Sequence, residues 1–269
     1  MRHLAFAIIL LASALISGAS FAADYEKGGE AYENENYATA LRALRRLAEQ
    51  GNAKAQYELG ISYDQGRGVP QDFKQAVYWY KLAAEQGIPD AQYNLGIMYY
   101  RGEGVPQNSK QAAYWWRLAA EQGDADSQFS LGIMYNRGAG VSKNFKQAAY
   151  WYKLAAEQGD ARAQNNLGTA YYLGEGVLQD YKQAAYWTKL AAEQGFANAQ
   201  VSLGGMYHTG EGVLQDYALA HMWYNIAAMN GVSYASLNRE KVAEQMSPAQ
   251  IAEAQSLARQ CVKQNYKDC

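Results

Sequence analysis

Apolar residues in this chain fall at helical spacing, and the whole pattern returns every 36 residues. Residues 90–123 show one such unit, in which two helices are predicted. The first covers about Ala91 to Arg101, where Ala91, Leu95 and Tyr99 share one face. The second begins at Asn108 and ends before Gly123. The basic unit is therefore a pair of helices joined by a short loop.

Residues that favour helix ends occupy the ends of these predicted helices. Asn108 is an N-cap residue and Gln111 follows three places later, the arrangement of a capping box. Gly123 follows the last turn, where a left-handed residue is favoured. Ile88 replaces the usual polar cap, but Pro89 suits a first helical position. The same box is predicted in three other units: Asp72–Gln75, Asn144–Gln147 and Asp180–Gln183.

Glycine and tryptophan positions keep the same register through the chain. A fixed internal period is the signature of stacked repeats, and it takes precedence over other patterns. Three columns show the period: Gly51, Gly87, Gly123, Gly159, Gly195 and Gly231; Gly60, Gly96, Gly132, Gly168 and Gly204; Trp79, Trp115, Trp151, Trp187 and Trp223.

The glycines have structural interpretations. The loop "GEGVP" lacks the Gly-Lys-Ser/Thr of a phosphate loop, so its glycines are expected to supply positive φ. Gly96 lies in mid-helix, where glycine costs about 1 kcal/mol relative to alanine. We expect a neighbouring helix backbone to pass close to Gly96, with Ala112 and Ala119 supplying matching small faces.

The framework A-x-x-x-L-G-x-x-Y…G-x-G-V…A-x-x-W-Y…A-A-E-x-G resembles the Sel-one-like repeat (SLR), a relative of the tetratricopeptide repeat. The resemblance covers about residues 24–231. It implies an all-α fold, a right-handed α-solenoid of helix-turn-helix repeats that organises protein complexes. Some secreted members have been proposed to bind peptidoglycan-like or β-lactam ligands. Those members carry a cysteine pair within each repeat, which this sequence lacks.

The N-terminus has the pattern of a secretory signal peptide. Arg2 and His3 precede an apolar run that ends at Gly18, and small residues suggest cleavage near Ala22. The run is shorter than the roughly 20 residues of a membrane span. The predicted organisation is a signal peptide (1–22), a tetratricopeptide-like cap (23–51), five repeats (52–231) and C-terminal cap helices (232–269). The mature protein is expected in the periplasm or outside the cell, without stable membrane insertion.

The C-terminal segment is predicted to close the stack. Ser247, Pro248 and Gln250 form a helix start, and the cap helix extends to about Lys263. The pair Cys261 and Cys269 matches neither a thiol-exchange motif nor a zinc set. In an oxidising compartment these cysteines are expected to form a structural disulfide that holds the tail.

Charge and residue types exclude several functions. The net charge is −2, and loss of Arg2 with the leader makes it about −3, which argues against a nucleic-acid partner. Only His208 and His221 remain after the leader, without metal-site spacing. No serine is followed three residues later by a lysine, so the sequence does not support a penicillin-recognising active site. We therefore predict no catalytic residues, no metal and no cofactor.

Positions that differ between units are the candidates for partner binding. In the first helices, Asn94 and Asn166 are predicted to hold an extended peptide, and Arg101 and Arg137 to attract carboxylates. An ordinary solvated helix face is an equally open interpretation. The varying columns are Glu58, Asn94, Ser130, Asn166 and Ser202; Lys54, Asp90, Asp126, Arg162 and Asn198; Gln65, Arg101, Arg137, Leu173 and Thr209.

Tyrosine and leucine form a second candidate surface. Tyr78 and Leu82 represent a column that repeats through the second helices. It predicts packing between these helices or, as the alternative, an apolar ridge for a partner. Trp116 is expected to be more exposed than the tryptophan column, and Glu85 and Gln86 to face solvent.

Together these patterns predict an exported, non-catalytic scaffold whose concave face binds a protein or extended peptide. The alternative is a cell-wall-directed enzyme or small-ligand binder of the β-lactam or peptidoglycan type.

Overall fold

The computed structural model describes residues 37–267 and residue 269. This part of the chain contains 13 α-helices and no strand. The helices are α1 (Tyr37–Glu49), α2 (Ala53–Gln65), α3 (Phe73–Glu85), α4 (Pro89–Arg101), α5 (Ser109–Glu121), α6 (Ala125–Arg137), α7 (Phe145–Glu157), α8 (Ala161–Leu173), α9 (Tyr181–Glu193), α10 (Ala197–Thr209), α11 (Tyr217–Met229), α12 (Ser233–Ala243) and α13 (Pro248–Lys263).

The helices pack as successive pairs. In each repeat the first helix packs on the second, as α2 does on α3. Within each compact unit the second helix also packs on the next first helix, as α7 does on α8. The described residues form two compact units, with the boundary between Gln122 and Gly123. The first unit contains α1–α5 and the second contains α6–α13. This arrangement confirms the predicted all-α solenoid of helix pairs.

The helix ends follow the predicted capping residues. The Asn108 side chain accepts hydrogen bonds from the backbone nitrogens of Lys110 and Gln111, both at 3.1 Å. Ile88 provides no side-chain cap to α4. Within the described helices, the reciprocal bond of a full capping box is recorded only at α13, between Ser247 and Gln250. At the other expected capping boxes, the N-cap side chain accepts its hydrogen bond from the helix backbone, but the reciprocal bond from the N-cap backbone is not formed.

Four of the five mid-helix glycines of this column face aromatic rings, so the expectation of a helix backbone beside Gly96 was wrong. At the equivalent Gly168 a helix backbone does pass close by, because a Cβ there would lie 3.1 Å from the Ala184 carbonyl oxygen. Trp116 lies over Gly96 and donates from Nε1 to the Tyr93 carbonyl at 3.1 Å. A Cβ at Gly132 would lie 2.6 Å from Tyr152 Cδ1. Trp116 is only 5% exposed, so its predicted exposure was also wrong. The glycine makes room for a ring that the neighbouring helix supplies.

In four of the five repeats a buried glutamine connects three helices. Gln56 on α2 donates from Nε2 to the Ala48 carbonyl of α1 at 3.0 Å, and its Oε1 accepts from Gln86 Nε2 at 2.7 Å. Gln86 follows α3 and is exposed, as expected, but its side chain also bonds to Gln56 within the repeat. The equivalent pairs are Gln92–Gln122, Gln128–Gln158, Gln164–Gln194 and Gln200–Asn230.

The C-terminal tail closes the second unit. A disulfide joins Cys261 to Cys269, with the Cα atoms 5.5 Å apart. Tyr266 packs beside Gly195 and donates to Asn230 Oδ1 at 3.2 Å. The tail thereby covers the last apolar cluster of this unit.

The predicted signal peptide, and the start of the N-terminal cap as far as residue 36, lie outside the described residues. No helix in the described part is long and apolar enough to cross a membrane.

Candidate functional site

Two of the predicted binding residues, Arg137 and Asn166, line one cleft of the second unit. The cleft has a volume of about 310 Å³ and lies between α6, α7 and α8. We call it the polar cleft, because Asn136, Tyr152 and Glu175 also line it. It falls within the size range of small-ligand and side-chain binding sites.

Arg137 reaches the polar cleft from the last turn of α6. Gly138 ends this helix in the left-handed conformation, with φ of 73°, and a cation is favourable at a helix C-terminus. Arg101 occupies the same position in the preceding repeat and pairs with Glu103 at 3.8 Å. In the repeat of Arg137, Ala139 replaces that glutamate. Within the described part of the chain, no carboxylate lies at ion-pair distance from Arg137.

Tyr152 forms a wall of the polar cleft and contacts Asn166. Burial raises the pKa of the Tyr152 phenol to about 12, while the hydrogen bond with Asn166 and the charge of Arg137 act in the opposite direction. The phenol is therefore neutral near pH 7. An asparagine amide offers more hydrogen-bonding positions than this contact uses. The cleft thus combines the Arg137 cation with amide groups and the carboxylate of Glu175.

Asn94 and Arg101 lie on α4, in the first unit. Asn94 hydrogen bonds to Tyr80, whose hydroxyl donates to Asp64 Oδ2 at 3.3 Å. Burial raises the pKa of Asp64 above its ordinary value. Because Arg101 is paired with Glu103, both predicted residues of this unit already have partners in the same unit.

A second cleft lies one repeat further along the second unit and was not predicted. It has a volume of about 300 Å³ and is lined by Leu173, Thr188, Gly205, Met206 and Tyr172. We call it the apolar cleft. Each of these residues lies 36 positions after a residue of the polar cleft. The sequence signal was Thr188, because the equivalent positions hold Tyr80, Trp116, Tyr152 and Tyr224.

In one of the varying columns, the one that contains Asp126 and Arg162, these two residues make contacts within the second unit. Arg162 forms ion pairs with Asp126 and Asp160, and its guanidinium lies 4.5 Å from the centre of the Phe129 ring. These pairs raise the pKa of Arg162 further above its ordinary value. Two charges of this column, Arg162 and Asp126, therefore pair with each other.

The tyrosine column is half-exposed and the leucines are packed. Tyr78 is 53% exposed, and its ring meets Trp79 edge-on with 4.9 Å between ring centres. Leu82 packs against the buried cluster that contains Trp79. The packing interpretation therefore describes the leucines, whereas the tyrosines also present aromatic surface to solvent.

The histidines do not cluster with other ligating groups. In the described residues, no three His, Cys, Asp or Glu side chains lie together as a metal site would require. His221 is 3% exposed, and burial, with the nearby charge of Arg239, lowers its pKa. His208 Nε2 lies 3.3 Å from Gln245 Nε2.

The chain resembles known repeat proteins in both sequence and structure. Five consecutive matches to the Sel1 repeat model cover residues 53–88, 89–124, 125–160, 161–196 and 197–232. A protective antigen of uropathogenic Escherichia coli with an SLR fold is 37% identical, with a TM-score of 0.80. The match covers 95% of this chain and 57% of that protein, so this chain spans little more than half of its length.

A Sel1 repeat protein from Oxalobacter formigenes is 38% identical over 79% of this chain and 84% of that one, with a TM-score of 0.72. No match was found among curated proteins. The five repeat matches, the two related structures and the helix pairs agree with one another. The chain therefore belongs to the Sel1 repeat family.

Proposed function

We propose that this protein is an exported, non-catalytic scaffold that binds an extended segment of a partner protein across the polar cleft. Proteins of the family are in general interaction scaffolds. The observation that carries the proposal is Arg137, a cation without an acidic partner among the described residues, in a cleft shared with Asn166.

The chemistry of the polar cleft suits a carboxylate next to a peptide backbone. A guanidinium binds a carboxylate through two parallel hydrogen bonds, which are stronger than neutral ones. Asn136 and Asn166 offer both donors and acceptors, as an extended backbone requires. A cleft that is partly shielded from water strengthens such a charge pair. The partner segment would therefore carry an acidic side chain or a terminal carboxylate.

Affinity capture from an extract of the source bacterium tests this proposal. The bait is the mature chain as wild type, as the double variant R137A/N166A, or as A139E, which gives Arg137 the internal partner that Arg101 has. We expect the proteins recovered by wild type to be lost with both variants. R101A is the matched control and should recover them normally.

Equal recovery by wild type, R137A/N166A and A139E would contradict the proposal. Circular dichroism establishes that each variant retains its helices before capture. Nitrocefin hydrolysis by the purified protein separates this function from the β-lactam alternative, because turnover well above a blank contradicts a scaffold without catalysis.

Export is part of the same proposal. The apolar leader and the predicted cleavage site near Ala22 support it, as does the related structure of a protective antigen. Expression of the full chain, followed by N-terminal sequencing of the periplasmic product, should give a mature chain starting at Ala23. A product that retains Met1 in the cytoplasm would contradict export.

A further inference from the structure

The polar cleft contains an acidic residue, Glu175, that the proposed function does not use. Glu175 follows the end of α8 and lines the same cleft as Arg137 and Asn166. Glu175 and Arg137 do not form an ion pair with each other, although the two side chains share one cleft. The polar cleft therefore presents a positive group and a negative group that are separate from one another.

A comparison of the repeats explains why both charges lack an internal partner. In the second repeat Arg101 pairs with Glu103, which lies two positions later. The third repeat keeps the arginine but has Ala139 in place of the glutamate. The fourth repeat keeps the glutamate, as Glu175, but has Leu173 in place of the arginine. Each of these two repeats thus retains one half of the pair, and the two halves line the same cleft.

The equivalent glutamate of the fifth repeat is already bonded, whereas Glu175 is not. Glu211 accepts hydrogen bonds from Tyr172 at 2.7 Å and from Thr209 at 2.9 Å. Asn136 stands where Tyr172 stands one repeat later, and it does not bond to Glu175. Across the described residues, the half-buried side chain of Glu175 has neither an ion pair nor a hydrogen bond. A carboxylate that is partly shielded from water and has no partner is a favourable place for a cation.

We propose that Glu175 binds a lysine or arginine side chain of the same extended segment whose carboxylate pairs with Arg137. This proposal rests on the proposed function and adds a second specificity-determining residue to it. A segment with an acidic residue alone would bring its carboxylate near Glu175, and like charges repel each other. A basic residue beside the acidic one offsets this repulsion and pairs with Glu175. The polar cleft therefore prefers an acidic–basic pair to an acidic residue alone.

The size of the polar cleft limits the spacing of the two charged residues in the segment. One cleft of about 310 Å³ holds both groups, so both side chains enter it from the same side of the segment. Side chains of an extended chain alternate between two sides, so residues two positions apart share a side. Such residues lie about 7 Å apart, whereas residues four positions apart lie about 13 Å apart. We therefore expect the acidic and basic residues to be two positions apart.

Selection from a library of random 12-residue peptides displayed on phage tests the proposal. Wild type should enrich peptides with an acidic and a basic residue two positions apart. E175Q removes the charge with little change of shape, so it should still enrich acidic peptides but lose the preference for the basic residue. E211Q is the matched control, because it makes the same charge change at a glutamate that is already bonded. It should select the same motif as wild type.

Fluorescence anisotropy of one selected synthetic peptide makes the test quantitative. Replacing its basic residue by alanine should weaken binding to wild type by about fivefold, the effect of an ion pair at a partly exposed site. The same replacement should change binding to E175Q by less than about twofold, because the protein's charge is already absent.

A second variant makes the test independent of the folding of E175Q. L173R gives Glu175 the internal partner that Glu103 has in Arg101. Leu173 is 54% exposed, so an arginine has room there. L173R should bind the parent peptide as weakly as E175Q does and should be equally insensitive to loss of the basic residue.

The outcomes separate the two proposals. Peptides that depend on Arg137 but show no preference for a basic residue, or that bind E175Q and L173R as tightly as wild type, overturn the role of Glu175 and leave the proposed function intact. Selected peptides that bind R137A as tightly as wild type overturn the proposed function and this proposal with it. A selection without any enriched peptide overturns both.

Discussion

At the scale of the residue, the effect of a helical glycine depends on what faces it. Gly132 and Gly205 both lie within first helices of the second unit. A Cβ at Gly132 would lie 2.6 Å from the Tyr152 ring, whereas one at Gly205 would make an ordinary contact at 3.4 Å. The repeat period predicted that a glycine is needed at position 132. It did not predict which neighbouring group excludes a side chain there, because either a helix backbone or an aromatic ring could do so.

These two glycines form a matched pair of substitutions. G132A should lower the free energy of unfolding by about 1–3 kcal/mol, because overpacking a tight contact costs more than the helix gains. G205A should raise it by up to about 1 kcal/mol, since alanine is the better helix former. Urea unfolding measures both. Effects of the same sign would contradict the assigned contacts.

His221 predicts a pH effect on stability. Because burial lowers its pKa, the unfolded chain binds a proton near the ordinary value of about 6.5 while the folded chain does not. The contribution of His221 to the free energy of unfolding is therefore present above pH 6.5. It is lost as pH falls towards the lower pKa of His221 in the folded state. In H221A the position carries alanine, as Ala185 does one repeat earlier. This variant should show a weaker dependence of stability on pH between pH 7.5 and pH 5.

Thermal unfolding of wild type and H221A at both pH values gives the comparison. Equal losses of stability in the two proteins on acidification would show that His221 is not responsible.

At the scale of the element, local patterns predicted the helices well. The α13 bounds agree with the predicted cap helix, and α4 and α5 agree within two residues, because apolar spacing and capping residues are local information. The glutamine connections were not predicted. Gln86 follows a helix end, where a polar side chain is normally solvated, and its partner Gln56 lies 30 residues away.

The glutamine connection is testable at Gln164. Its Nε2 donates to the Ala156 carbonyl at 3.1 Å, and its Oε1 accepts from Gln194 at 2.7 Å. Q164A leaves a buried carbonyl without this donor, so it should destabilise the protein by about 1–3 kcal/mol. Q194A removes an exposed partner and should cost less. Denaturant unfolding that ranks Q194A as the more damaging change would contradict the role of Gln164.

At the scale of the whole molecule, the repeat predicted the family and the solenoid, whereas the site depends on departures from the repeat. Arg137 and Asn166 were visible as varying positions, and the structure brings them to one cleft. The apolar cleft was not predicted, because its lining departs from the repeat through uncharged residues such as Leu173, Thr188 and Gly205. The loss of an acidic partner at Ala139 is a departure of the same kind.

The central claim is that Arg137 binds a carboxylate of the partner because its own repeat does not neutralise it. Isothermal titration of an acidic peptide from a captured partner against wild type, A139E and R101A tests this claim most directly. A139E should weaken binding by about tenfold or more, since hydrogen bonds to charged groups contribute about 1.5–3 kcal/mol, and R101A should bind as wild type does. Equal affinity of A139E and wild type would contradict the account.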